Sequence, residues 1–158
     1  SLSANLATAL VVAACLAGAT WTSLTYLQGK WADRAFREQL AVSSRMASAE
    51  PAPSVVDYDL AVEHNGHQLA IVARLSVTNQ NDVPLDSLLF TLNPGLLVGE
   101  VTADDLPVPF TQELHLLRIA PAVALAHGDT CNLRISYSGT VDERFCYLDI
   151  ETERYEGQ

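Results

Sequence analysis

Residues 1–29 contain no Asp, Glu, Lys or Arg. A stretch this long without charge is covered by protein, removed as a targeting segment or placed in lipid. Residues 6–19 are almost wholly apolar or small, and the run continues through Thr20, Trp21, Thr22, Ser23, Leu24, Thr25, Tyr26 and Leu27. About 20 helical residues at roughly 1.5 Å each cross the hydrocarbon core of a bilayer. The pattern therefore predicts a transmembrane helix over residues 5–27 within a segment 1–29, in contact with the lipid bilayer. Trp21 and Tyr26 fall where an interfacial aromatic belt would lie. A secretory signal peptide and a buried hairpin of a lipid-free helical domain are the competing readings. The length of the run, and a start at Ser1-Leu2-Ser3 without Met or a basic leader, argue against the signal peptide. The same start reads as a piece of a longer chain.

After Gly29 the pattern turns mixed. Trp31, Ala32, Ala35, Phe36, Leu40 and Val42 recur with a helical period among Lys30, Asp33, Arg34, Arg37, Glu38 and Gln39, predicting an amphipathic helix that fades near Ser43-Ser44. Pro51 and Pro53 lack backbone donors and push their predecessors toward extended conformations, so no helix passes them. Residues 30–54 are thus an amphipathic helix and a proline-containing linker. Residues 55–158 make the next domain. It holds five arginines, no lysine and sixteen acidic residues, a net charge of −11. Such a surface repels phosphate backbones, and no basic cluster interleaved with aromatics opposes it, which excludes nucleic acid as a partner.

From Val55 onward the apolar period is near two. Residues 56–62 alternate, His64-Asn65-Gly66-His67 supplies a hairpin turn centred on Asn65-Gly66, and residues 68–78 return. Further strands are expected at 85–92, at 96–102, at 108–110 beyond the Asp104-Asp105 turn, at 115–119 and at 131–137 after His127-Gly128-Asp129. Short strands with a turn about every ten residues indicate a mainly β chain. The expected fold is an antiparallel β-sandwich preceded by a transmembrane and amphipathic helical segment.

The chemistry-bearing residues are sparse. His64 and His67 flank a turn beside Glu63, while His115 and His127 stand far apart, and all four read as exposed turn or strand residues rather than ligands. Zinc hydrolysis needs two imidazoles one helical turn apart and a Glu to activate water, and no H-E-x-x-H occurs. The nucleophile elbow, the P-loop and the dinucleotide fingerprint are missing too. Asp104-Asp105 and Asp142-Glu143 are paired carboxylates in turns, where nothing predicts desolvation. No catalytic, cofactor or metal residue is assigned, and the fragment is read as not an enzyme. Cys15 falls in the apolar run. Cys131 and Cys146 both fall in expected strands, either as a disulfide or as two buried thiols. Phe145, Cys146, Tyr147, Leu148, Asp149 and Ile150 read as an edge strand open to an interaction.

Tyr58-Asp-Leu-Ala-Val62, Leu75-Ser-Val-Thr-Asn79, residues 85–94, Leu97-Val-Gly-Glu-Val101, residues 114–119 and the Gly-Asp turn leading to Tyr137-Ser-Gly139 together resemble the N-terminal β-domain of M1-type aminopeptidases. The variant most resembled is the one fused to bacterial ABC-type permeases, where a membrane helix, a polar helix and a proline-containing linker precede the sandwich. The resemblance covers about residues 20–150. It departs after Gly139, where Phe145-Cys146-Tyr147 stands in place of the Gly-Phe-Tyr of soluble members. The chain stops before the region that carries the family's zinc and exopeptidase motifs, so no catalytic residue carries over. The resemblance implies a noncatalytic, extracytoplasmic segment of a bacterial membrane protein. It would position a downstream peptidase-like domain of the same chain, contact a membrane protein partner or shape a peptide-binding cleft. The parent would be a zinc metalloaminopeptidase-like protein. The basic residues after the apolar run favour the cytoplasmic side by the positive-inside tendency, against the resemblance. A freestanding membrane-anchored adhesion or interaction module is the alternative.

Overall fold

The computed structural model describes residues 2–145, with side chains from Val11 onward. The chain forms two compact units that divide between Glu38 and Gln39.

One helix, α1, runs from Leu2 to Ala47 without a break at Gly29. The first unit is made of this helix, and most of its described apolar side chains, Leu16, Trp21 and Leu24 among them, are exposed. Its hydroxyls are turned inward upon the helix itself. Thr20 Oγ1 donates to the Leu16 carbonyl at 2.6 Å, Thr22 to Gly18 at 3.1 Å, Ser23 to Ala19 at 2.8 Å and Thr25 to Trp21 at 3.1 Å. Back-bonding of this kind satisfies the donor without water. Among the described residues no helix is long and apolar enough to cross a membrane.

The second unit is an antiparallel β-sandwich with the last turns of α1. Its strands are β1 (Ser54–Asn65), β2 (Gln68–Thr78), β3 (Leu88–Thr91), β4 (Leu96–Ala103), β5 (Leu106–Pro107), β6 (Phe110–Glu113), β7 (Leu116–Ile119) and β8 (Thr130–Gly139). Five form one sheet in the order β1-β2-β8-β4-β5, and three form the other in the order β3-β7-β6. Every pairing is antiparallel. The core follows from register. Val77 faces Cys131, Leu75 faces Leu133 and Ala73 faces Ile135 across β2 and β8, while Val101 and Ala103 of β4 meet Ile135 and Leu133. All of these but Ala73 pack with Leu88, Leu117 and Ile119 of the smaller sheet.

One irregularity keeps the apolar residues of β4 inward. β4 changes parity between Leu96 and Val98 on one side and Val101 and Ala103 on the other, and a register shift at Gly99 between Val98 and Glu100 absorbs the extra residue. Across the sheets, Gln112 of β6 donates to the Leu96 carbonyl at 2.7 Å and accepts the Val98 amide at 2.9 Å, so one side chain ties β6 to β4. Asn79 does the same beneath the loops. Fully buried, it donates to the Val83 and Leu125 carbonyls at 2.8 Å each and accepts the Asn81 amide at 2.8 Å. At the other end Gly95 and Gly139 cross so closely that a methyl group on Gly95 would overlap the Thr140 carbonyl oxygen.

Several expected features move. The first hairpin turns one residue late, with Asn65 paired to Gln68 and Gly66-His67 between them. Only Gly66 has positive φ (61°), the requirement of a type II′ turn, so the sole glycine takes the first central position. The strand expected at 85–92 is confined to Leu88–Thr91, and Leu85 instead bridges Leu125. The helix expected to fade near Ser43-Ser44 continues to Ala47, since Leu40 and Ala47 bury their side chains and Ser44 gains a partner. Phe145 ends a short 3-10 helix (Glu143–Phe145) rather than opening a strand, because Asp142 caps the turn through the Arg144 amide at 3.0 Å. Residues 146–150 of that expected strand lie outside the described residues.

Candidate functional site

The histidines do not converge. His64 lies near the end of β1 and His67 in the hairpin turn, both exposed. His127 Nδ1 stands 3.0 Å from the Asn81 carbonyl oxygen, in a different loop. Among the described residues no group of three His, Cys, Asp or Glu side chains is placed to hold a metal ion. The paired carboxylates are turn residues. Asp104 and Asp105 both take positive φ (47° and 66°), as a two-residue type I′ loop between β4 and β5 demands and as Asp tolerates. Asp104 also accepts the Asn132 amide at 3.0 Å. Asp142 is engaged by Arg144 at 2.7 Å, and that hydrogen bond holds its carboxyl below the usual range.

His115 departs from the expected exposed residue. It is fully buried, with Nε2 2.8 Å from Ser44 Oγ of α1 and its ring 5.1 Å from that of Phe145. Its Nδ1 has no hydrogen-bond partner. Burial holds its pKa below the ordinary histidine value. The tight β6–β7 turn delivers it there, with Leu114 in left-handed conformation at φ 54°, a geometry unusual for leucine. Alternation alone placed His115 at a strand end; nothing local in the sequence announces that the final turns of a distant helix cover it. Beside it, Arg118 donates to both oxygens of Glu50 at 2.6 and 2.8 Å, lowering the Glu50 carboxyl pKa. His115 is a packing residue that pins residues 39–50 to the sandwich.

Cys131 is a free thiol in the core of β8, and burial, aided by Asp104, pushes its pKa up to about 11. At neutral pH it stays protonated and unreactive. Its suggested partner Cys146 lies outside the described residues, as do Tyr147, Leu148, Asp149 and Ile150.

Within the sandwich, β1 presents an open surface. Its inward face carries Tyr58, Leu60 and Val62, in register with Leu75, Ala73 and Ile71, yet these side chains remain 69%, 48% and 56% exposed. The three short strands of the smaller sheet do not reach them. The opposite face carries Asp57, Asp59 and Glu63, of which Asp59 meets Arg74 at 3.0 Å in an exposed pair. Among the described residues β1 pairs only with β2, so no described strand covers its outer edge. An open edge beside an uncovered apolar face can bind polypeptide and cannot by itself do chemistry.

No family model matches the sequence, and no curated protein matches it either. Solved structures do share the fold. An M1 zinc metallopeptidase from Deinococcus radiodurans superposes with a TM-score of 0.52 at 23% identity, covering 58% of this chain and 21% of that one. A variant of a Deinococcus radiodurans M1 zinc metallopeptidase bound to a Tyr-Ser-Ala substrate gives a TM-score of 0.51 at 24% identity, covering 56% and 21%. A two-domain M1 zinc metallopeptidase variant bound to L-tryptophan gives 0.53 at 23%, covering 58% and 21%. At these identities the likeness is one of fold. The chain spans about a fifth of the length of these structures.

Proposed function

We propose that this chain is the noncatalytic, membrane-anchored β-sandwich of a bacterial protein that joins an ABC-type permease to an M1 aminopeptidase-like domain, with the sandwich positioning that domain on the extracytoplasmic side. The observation that carries the reading is the backbone likeness of the sandwich to a fifth of several M1 zinc metallopeptidases. The strand motifs from Tyr58 to Gly139 agree with it. The helical unit supports the membrane part. Its charge-free run precedes Lys30, whose Nζ sits 5.3 Å over the Tyr26 ring, and the hydroxyls between Thr20 and Thr25 have their donors satisfied within the helix. Residues before Val11, which supply much of the apolar run, lie outside the described side chains.

The coding sequence beyond Gln158 tests this reading. A continuation with an H-E-x-x-H helix is expected, together with slower amide exchange over residues 145–150 when the next domain is present than in residues 1–158 alone. A stop codon at Gln158, or equal exchange in both, contradicts it. The second reading, a freestanding anchored interaction module, is favoured by one observation, the uncovered face and free edge of β1.

A further inference from the structure

We infer that the free edge of β1 takes up an extended polypeptide in which apolar residues alternate with lysine or arginine. The inference goes beyond the positioning role and does not rest on it.

An edge strand with unpaired amides and carbonyls is a template for strand addition, in which main-chain hydrogen bonds supply affinity and alternate side chains supply selectivity. β1 is twelve residues long, more than double the average strand, and pairs regularly with β2 from Asp57 to Asn65 beyond a single irregularity between Val55 and Asp57. Its two faces are chemically distinct. Tyr58, Leu60 and Val62 offer an apolar ladder continuous with the inner surface of the larger sheet, whereas the other face carries the carboxylates of Asp57, which accepts the Tyr58 amide at 2.9 Å, of Asp59, paired with Arg74, and of Glu63. A strand laid alongside in antiparallel register places its own alternate residues against these two rows, so an apolar/cationic alternation satisfies both at once.

A second copy of the chain fits poorly. Two β1 strands paired with their apolar faces together bring Asp57, Asp59 and Glu63 of both copies onto one face, where like charges opposite each other are destabilising. The net acidity of residues 55–158 opposes such a dimer further and attracts a cationic segment.

The test uses the full chain in mild detergent with two ten-residue peptides, one alternating Val with Lys and one alternating Val with Glu. Binding is read by titration and by amide chemical shifts. The Lys peptide is expected to bind at least tenfold tighter than the Glu peptide, to weaken in 0.5 M salt and to shift the amides of residues 55–65. Asp57→Lys with Glu63→Lys should reverse the preference while leaving the Asp59–Arg74 pair and the β8 amide shifts unchanged. Equal binding of the two peptides, binding of neither, or shifts centred elsewhere overturns the inference. So does perturbation of β1 by rising protein concentration alone, which would mark a second copy as the occupant, or by phospholipid vesicles alone, which would mark a lipid surface.

Discussion

β1 and β8 have the same sequence pattern and opposite fates. Residues 56–62 alternate apolar and polar, as residues 131–137 do, and both strands belong to one sheet. β8 lies at its centre with Cys131, Leu133 and Ile135 nearly inaccessible, whereas no residue of β1 reaches the buried state. The difference lies in what sits opposite. The smaller sheet has three strands of four residues, and the core it shares draws on β2, β4 and β8 but on no residue of β1. Alternation in a strand fixes which side chains share a face. It does not fix whether another layer covers that face, and at β1 that shortfall leaves the apolar row open.

The two strand regions should respond to substitution very differently. The largest effect is expected at the crowded end of β8, where Gly95→Ala forces a methyl group into the Thr140 carbonyl and should cost more than about 4 kcal/mol, enough to abolish a cooperative urea transition. Gly66→Ala at the β1 hairpin tip meets open space and should cost only about 1 kcal/mol, from its positive φ. Within the core, Leu133→Ala should lower unfolding free energy by about 2–5 kcal/mol in denaturant titration. A smaller effect is expected from His115. Its folded pKa lies below the unfolded value, so the unfolded chain binds the extra proton first. Its contribution is complete above the unfolded value near 6.5 and is lost as pH falls from there through the folded value. Urea midpoints measured from pH 7.5 to 5 should fall, and His115→Gln should flatten that part of the slope. The smallest effect belongs to β1 itself, where Leu60→Ala should change stability by less than about 1 kcal/mol because much of the side chain is already in water.

The sequence was legible where its signals are local. α1 ends at Ala47, before Pro51 and Pro53, and β1 begins at Ser54 just after them, and Asp104-Asp105 forms the expected turn with both residues at positive φ. Gly66 was read correctly as turn chemistry but one position out, because Asn65-Gly66 and Gly66-His67 are both acceptable two-residue loops and the β1–β2 register chooses between them. What stayed hidden depends on distant partners. Asn79 looks like part of a polar turn, yet it holds two loops through Val83 and Leu125, the second 46 residues away. His115 and Ser44 are 71 residues apart. No period or motif connects them, and the burial of His115 follows only once residues 39–47 lie on the sandwich. The open edge of β1 was hidden for the same reason, and residues 146–150, read from the sequence as an edge strand, lie outside the described residues.

Amide hydrogen exchange, resolved by residue on the dilute intact chain at neutral pH, tests the contrast between the two strands most directly. The β8 amides are expected to exchange only through global unfolding, while those β1 amides that do not bond to β2 exchange orders of magnitude faster. Protection of every β1 amide to the level of β8 would show that its edge is covered, and would contradict the open interaction surface.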